Sequence, residues 1–181
     1  MAIALELARR LNEKKTLPHN VLIVFQPAEE TTGGAKALCQ TGVFDRYKVE
    51  AIFGLHLWPG LPEGQIASRA EEMMARSCEV KVDVLGRSAH IARAEEGLDA
   101  LEAGAKFYLR ALDMERKMPK EVFRLLKFGK FESGRVCNAI SDHTHMEGSL
   151  RAFQDEIFYG MRQSLLDIAA RVEQESGCRV Q

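Results

Sequence analysis

The chain has 181 residues, with 25 basic and 26 acidic side chains and a formal net charge of −1. This balance argues against a nucleic-acid or membrane-surface partner, and no apolar stretch is long enough to span a bilayer. The length suits one domain or two small ones. The four cysteines are widely spaced and charges interrupt the N-terminal apolar run, so the sequence predicts a cytoplasmic protein with reduced thiols and no signal peptide.

The N-terminal part of the chain alternates between helix and strand patterns. Residues 2–13 carry apolar side chains at helical spacing, and "VLIVF" at 21–25 is a continuous apolar run typical of a strand covered on both faces. "GGAKALCQTG" predicts a short helix that ends at Gly42. "AIFGLHL" at 51–57 predicts a second buried strand. Strand, helix and strand in this order predict an α/β unit with a parallel sheet.

The pattern changes after about residue 72. "SCEVKVDVLG" alternates apolar and polar residues, as in a half-buried strand of an antiparallel sheet. A helix is predicted over 99–116, followed by strands in "EVFRLLKFGKFES" and "HTHMEGSLRAF". A long amphipathic helix over 155–175 and a last strand in "CRV" complete the series. The order β-α-β-β-α-β predicts a ferredoxin-like α+β sandwich.

Two adjacent glutamates follow the first predicted strand. Glu29 and Glu30 come just after "VLIVF", and His56 ends the second strand, so the three side chains are expected to meet at one edge of the sheet. Carboxylate and imidazole groups suit zinc, manganese or cobalt, and a second, free carboxylate can act as a general base. Spacing alone nevertheless favours ordinary roles, in which the glutamates stabilise a helix N-terminus and the histidine forms a hydrogen bond in the core.

Other polar residues are weaker candidates. His143 and His145 share a face of a predicted strand and could bind a metal, although an exposed polar face is the commoner explanation. His90 lies in a polar loop after a strand, where a mobile hydrogen-bond donor could be useful. Asn138 and Arg151 could bind a carboxylate, the arginine as a two-pronged donor, but surface and turn roles are ordinary for both.

The motifs "VLIVFQPAEETTGGA" and "AIFGLHLWPGLPEGQIA", followed by "EVKVDVLGRSAHIA" and "GRVCNAISDHTHMEGSLRAF", closely resemble one family. This is the family of dinuclear metal-dependent amidohydrolases and metallopeptidases that includes hippurate hydrolases, aminoacylases and N-acetyldiaminopimelate deacetylases. The resemblance covers essentially the whole chain. It implies a phosphorylase/hydrolase-like catalytic domain with a partial parallel sheet over residues 1–72, and a ferredoxin-like lid over residues 73–181 through which the protein forms homodimers.

The resemblance also implies a role for each matched residue of the catalytic domain. Glu29 matches the family's general base, which takes a proton from the attacking water. Glu30 and His56 match ligands of two divalent ions of zinc, manganese or cobalt. Other ligands of the family lie in segments outside these 181 residues, so we expect an internal fragment of a longer enzyme. Alone, it should hold an incomplete metal site, bind those ions poorly and be inactive.

Three lid residues complete the implied site. His90 matches a histidine that reaches the partner subunit's active site and stabilises the oxyanion, and Asn138 and Arg151 match residues that hold the substrate's carboxylate. The implied function is hydrolysis of N-acyl amino acids. A dipeptidase or carboxypeptidase of the same fold, acting on short peptides, is an alternative, and a non-catalytic dimerisation module is another. The loop "RSAHIARAE" and the segment "NAIS" differ from the family's common patterns, so no particular substrate follows.

Overall fold

The computed structural model describes residues 1–29 and 33–181. The chain divides into two units, Met1–Glu63 and Gly64–Gln181. No helix in the described ranges combines the length and the apolar character needed to cross a bilayer.

Short helices provide the regular structure of the first unit: α1 Ala2–Asn12, α2 Gly34–Gln40 and α3 Val43–Arg46. The helix predicted over 2–13 is therefore confirmed as α1. A Cβ atom on Gly34, the first residue of α2, would lie only 2.0 Å from the carbonyl oxygen of Pro27. The backbone at Pro27 can therefore approach the start of α2 this closely only with glycine at position 34. None of the three helices buries a residue completely.

The parallel sheet predicted for the first unit is not found in its described residues. The segments 21–25 and 51–57 have no strand partner, and their apolar side chains other than Ile23 are exposed, with Phe53 at 91% and Leu57 at 78%. The physical reason is that a strand exists only where a neighbour pairs with its backbone, and parallel strands also need cover on both faces. An apolar, β-branched run has a high propensity for a buried strand, but the run alone does not determine whether another strand pairs with it.

The second unit contains the sheet predicted for the C-terminal part of the sequence. Its elements are β1 Arg76–Leu85, a 3₁₀ helix Ile91–Glu96, α4 Ala100–Lys117, β2 Arg124–Ser133, β3 His143–Ala152, α5 Asp155–Ser176 and β4 Arg179–Val180. All strand pairs are antiparallel, and the strand order is β2-β3-β1-β4. Element order and strand order are those of a split β-α-β sandwich.

Side-chain alternation along the strands decides where the core lies. Val82 and Val84 of β1 face the helices and are buried, as are Met146 and Leu150 of β3. The cluster continues into α4 and α5, where Phe107 and other apolar residues are buried. Burying side chains of this size contributes roughly 1.5–3 kcal/mol each. One face of the sheet is thus covered by the two helices, and the other carries polar side chains.

Local signals fix the ends of the two long helices. The Asp99 side chain accepts hydrogen bonds from the backbone N–H groups of Leu101, at 2.9 Å, and Glu102, at 3.1 Å, which caps α4. Gly177 ends α5 with a φ of 71°, a left-handed conformation that glycine adopts without strain. Because α5 ends there, the chain turns back and β4 pairs with the edge of β1.

Candidate functional site

Three potential metal ligands converge on the polar face of the sheet. Asp83 of β1 lies directly opposite His145 of β3, and His143 is two residues away on the same face. Asp83 exchanges both of its backbone hydrogen bonds with Gln181, at 2.9 and 2.8 Å, so its N–H and C=O groups point away from β3. Asp83 and His145 therefore form a non-hydrogen-bonded pair, the kind in which opposing side chains approach most closely.

The side chains of this cluster form one hydrogen-bonded network. Asp83 Oδ1 lies 2.7 Å from His143 Nε2 and 2.9 Å from His145 Nδ1. The second ring nitrogen of His145, Nε2, is 2.9 Å from Glu147 Oε1, and Lys130 Nζ donates to the same oxygen at 3.2 Å. His145 is the most enclosed of the three ligands, with 22% of its side chain exposed, against 37% for Asp83 and 48% for His143.

The network shifts the ionisation of its members. Hydrogen bonds from His143, the larger cause, and from His145 hold the pKa of the Asp83 carboxyl below its ordinary value. Hydrogen bonds to Glu147, the larger cause, and to Asp83 raise the pKa of His145, because both carboxylates favour the charged imidazolium. The pKa of Glu147 is lowered mainly by His145 and secondly by Lys130. The face thus concentrates charge of both signs within a few side chains.

The sequence predicted only part of this cluster. It placed His143 and His145 on one face of a strand, which the structure confirms, but it did not identify Asp83 as their partner. The signal was present, because Asp83 belongs to the polar side of the alternating segment that became β1. What the sequence lacked was the register of β1 against β3, which pairs Asp83 with His145. In the described part of the chain, three or more potential metal ligands converge only here.

The residues predicted around the glutamate pair lie in the first unit. Glu29 is exposed in a turn, and Glu30 lies outside the described residues. Ala28 has a φ of 51°, and its carbonyl oxygen accepts a hydrogen bond from the backbone N–H of Gly33 at 3.1 Å. A positive φ is uncommon for alanine and marks this turn as locally strained.

His56 is exposed and lies in a segment that is neither helix nor strand. Its Nδ1 atom lies 2.6 Å from the carbonyl oxygen of Leu57. Because a carbonyl oxygen can only accept, Nδ1 carries the proton, and Nε2 of the neutral ring keeps a free lone pair. The ring also meets Trp58 edge-on, with 6.3 Å between the centroids. This arrangement leaves Nε2 as the nitrogen available to a metal ion.

His90 and Asn138 lie side by side in the second unit. His90 forms an isolated bridge with Ala139, and the backbone N–H of Ile91 donates to the carbonyl oxygen of Asn138 at 3.1 Å. The His90 side chain accepts a hydrogen bond from the N–H of Ala92, at 3.2 Å, and caps the 3₁₀ helix. Both His90 and Asn138 are exposed. Two chain segments that are far apart in the sequence therefore present an imidazole and an amide at one end of the sheet.

Arg151 lies at the other end of the same sheet. It is exposed near the end of β3, where it is paired with Ser77 of β1 and Leu125 of β2. His143, at the start of β3, is eight residues earlier, which corresponds to about 26 Å of strand. His90 and Asn138 lie at the end of the sheet where β3 begins. A single chain therefore does not bring these two residues and Arg151 together around one small molecule.

Comparison with known proteins gives one consistent result. Residues 1–155 match the sequence profile of "Peptidase family M20/M25/M40". An uncharacterised hydrolase of Staphylococcus epidermidis is 35% identical over 167 residues, which are 91% of this chain and 43% of the relative. The chain thus spans less than half the length of that relative. A crystal structure from methicillin-resistant Staphylococcus aureus, described as an aminohydrolase, has a TM-score of 0.72 at 21% identity and covers 81% of this chain and 39% of that one.

Proposed function

The chain belongs to peptidase family M20/M25/M40, and we propose that it forms part of a metal-dependent hydrolase that cleaves the amide bond of N-acyl amino acids. The observation that carries the proposal is the extent of the family match. Residues 1–155 include every position to which the resemblance assigns a role, from Glu29 to Arg151. A match of this extent supports a hydrolase more strongly than any single motif does.

In the proposed enzyme, Glu30 and His56 ligate divalent ions of the zinc, manganese or cobalt class. The free Nε2 lone pair of His56 fits such an ion, and the hydrogen bond from Nδ1 to Leu57 would orient the ring as metal-bound histidines usually are oriented. Two protein ligands fall short of the three or four that a catalytic zinc normally has, so the site needs ligands beyond these two. When bound, the ions would supply polarisation of the amide carbonyl.

The proton transfers fall to Glu29. A carboxylate next to a metal ligand can take a proton from the attacking water and return it to the leaving nitrogen. The exposed turn that carries Glu29 leaves its carboxylate open to solvent and to a substrate. His90 would donate a hydrogen bond to the oxyanion that develops on the carbonyl oxygen, and Asn138 and Arg151 would bind the carboxylate of the amino-acid half.

The separation of these residues supports a site shared between two subunits. His90 and Asn138 lie at one end of the sheet and Arg151 at the other, so a substrate held by Arg151 would receive both His90 and Asn138 from a second chain. The edge strand β2 offers unpaired backbone for such a contact. A shallow apolar hollow beside it includes side chains that are largely exposed, such as Leu109 at 63% and Phe131 at 40%. We therefore propose a homodimer formed through the second unit.

A non-catalytic dimerisation module is the second candidate. The observation that favours it is the location of the core, because every buried residue in the described part of the chain belongs to Gly64–Gln181. This unit could pair with a copy of itself without any contribution from Glu29 or His56.

The reading frame that encodes the chain separates these candidates. A frame that continues in both directions and encodes further His, Asp and Glu ligands would support the enzyme, whereas a start and a stop codon directly flanking these 181 residues would support the module. The product of the complete frame should then be assayed with zinc, manganese or cobalt on N-acyl amino acids and on dipeptides. Hydrolysis of dipeptides alone would identify a peptidase and contradict the proposed substrate class.

A matched variant tests the chemistry of the same protein. We expect Glu29→Gln to lower kcat by at least about 100-fold, the usual contribution of a general base, without changing the metal content. If the kcat of the Gln variant equals that of the original protein, Glu29 is not the general base. Loss of metal together with activity would instead make Glu29 a ligand.

A further inference from the structure

We propose that Asp83, His143 and His145 bind one divalent transition-metal ion of the zinc class on the polar face of the sheet. The proposal uses none of the residues to which we assign amide hydrolysis. It depends on the positions of β1 and β3 within the second unit.

The distances within the cluster suit such an ion. One ligand atom from each of the three residues lies within 4.8 Å of the other two. Ligands around a tetrahedral zinc ion, with bonds of about 2.0–2.1 Å, are separated by about 3.3 Å. The two histidine nitrogens already lie 2.7 and 2.9 Å from Asp83 Oδ1, so side-chain displacements of about 0.5 Å would bring each of them to that spacing from the Asp83 oxygen. Two imidazoles and a carboxylate form a set of ligands that zinc commonly uses.

The surroundings of His145 select the nitrogen that would face the ion. Glu147 lies 2.9 Å from Nε2 and accepts its proton in a hydrogen bond, so zinc would displace the proton that Nδ1 donates to Asp83 and bind at that nitrogen. Lys130 holds the Glu147 carboxylate from the other side at 3.2 Å. A carboxylate that orients a metal-bound histidine through its second nitrogen is a recurring feature of metal sites. This feature distinguishes the cluster from a chance meeting of polar side chains.

The ligands stand on well-supported backbone. β1 and β3 are the two central strands of the four-stranded sheet, with β4 and β2 outside them. Ligands on central strands are held more precisely than ligands on loops. Three protein ligands leave at least one coordination position for water, and an ion bound here would link the two strands across the polar face of the sheet. Because the unfolded chain would not hold the three groups together, binding should raise the Tm of the protein.

Isothermal titration of the metal-free 181-residue chain with zinc tests the proposal. We expect saturable binding of one ion per chain and a Tm that rises with zinc concentration. Asp83→Asn and His145→Gln should each abolish both effects. His143→Gln should do the same and carries the least risk to folding, since His143 is the most exposed of the three ligands. Circular dichroism of each variant verifies that the sheet is intact.

Two controls make the result specific. His19→Gln removes an imidazole from an exposed turn of the first unit and should leave zinc binding unchanged. Because none of the three ligands belongs to the residues assigned to amide hydrolysis, failure of one proposal does not imply failure of the other. Glu147→Gln keeps all three ligands and should weaken binding by about 10- to 100-fold, less than loss of a ligand.

Cobalt provides an independent spectroscopic test. Co²⁺ bound by two imidazoles and a carboxylate should show ligand-field absorption without a thiolate charge-transfer band. A thiolate band would assign the ion to a cysteine and overturn the proposal. Zinc binding that persists in both His143→Gln and His145→Gln, or the absence of zinc binding to the original chain, would overturn it as well.

Discussion

At the scale of single residues, the contact between Arg110 and Glu175 links α4 to α5. Arg110 Nη2 donates to Glu175 Oε2 at 2.7 Å, and both side chains are about one-third exposed, at 34% and 39%. The hydrogen bond from Arg110 lowers the pKa of Glu175. A carboxyl group whose pKa is lowered by folding stabilises the protein above its unfolded pKa, and this contribution is lost as the pH falls through the lowered value.

We therefore expect the effect of Glu175→Gln to depend on pH. Near neutral pH the variant should have a lower Tm than the original chain, by a small amount because the pair is solvent-accessible. As the pH falls below the ordinary glutamate pKa of about 4.3, the two Tm values should converge. Thermal melts of both proteins between neutral and acidic pH measure the difference, and a Tm gap that persists at the acidic end would show that charge is not its cause.

The residues of the polar sheet face show which parts of a site can be predicted from sequence. Side-chain alternation along one strand is local, so it correctly placed His143 and His145 on the same face. The contact with Asp83 depends on the register of two strands separated by about 60 residues in the chain. That register is set by packing of the whole sheet on its helices, which a strand pattern does not contain. Partners across strands therefore become visible only in the structure.

At the scale of elements, the packing of α4 on β3 depends on the absence of a side chain at Gly104. A Cβ atom there would lie 2.6 Å from Thr144 Cγ2. Thr144 is fully buried, and its hydroxyl donates to the carbonyl oxygen of Ala100 at 2.7 Å, so it cannot easily move away. The helix therefore approaches the sheet more closely at this point than alanine would allow.

Two matched substitutions separate this contact from helix propensity. Replacing a helical glycine by alanine normally stabilises by roughly 0.5–1 kcal/mol, and overpacking a core costs about 1–3 kcal/mol. Gly160→Ala in α5 meets no atom within 4 Å, so the variant should gain stability. Gly104→Ala should lose roughly 1–2 kcal/mol, because the packing cost exceeds the propensity gain. Urea unfolding of both variants measures the two signs, and a stabilised Gly104→Ala would contradict the close contact.

The elements also differ in how well their patterns predicted them. The predicted helices at 99–116 and 155–175 agree with α4 and α5 to within one residue at each end, because caps and periodicity are local. The apolar runs at 21–25 and 51–57 look as strand-like as β1 but are unpaired in the described residues. A helix forms its backbone hydrogen bonds within its own segment, whereas a strand forms them with another strand elsewhere in the chain.

At the scale of the whole molecule, the two units differ in what they bury. The continuous cluster of buried residues lies in Gly64–Gln181, whereas exposed large apolar side chains are frequent in Met1–Glu63. Hydrophobic burial is the main favourable term in folding, so stability should reside in the second unit.

A fragment of residues 64–181 should accordingly fold by itself. We expect it to unfold cooperatively in urea with a midpoint close to that of the intact chain, while residues 1–63 alone should show no cooperative transition. Circular dichroism and amide hydrogen exchange measure both properties. A cooperative transition in the 1–63 fragment would mean that the first unit has a stable core of its own.

The opposite positions of His90 and Arg151 on the sheet have a genetic consequence. If each active site takes Arg151 from one chain and His90 from the other, two inactive variants can repair each other. In a mixed dimer of His90→Ala and Arg151→Ala chains, one site would carry both substitutions and the other would carry neither. If the two complete proteins are co-expressed and pair at random, about half of the two-fold symmetric dimers are mixed, and each mixed dimer has one intact site of two. The total activity should therefore be about a quarter of that of the original protein. Sites built within single chains would give no such recovery.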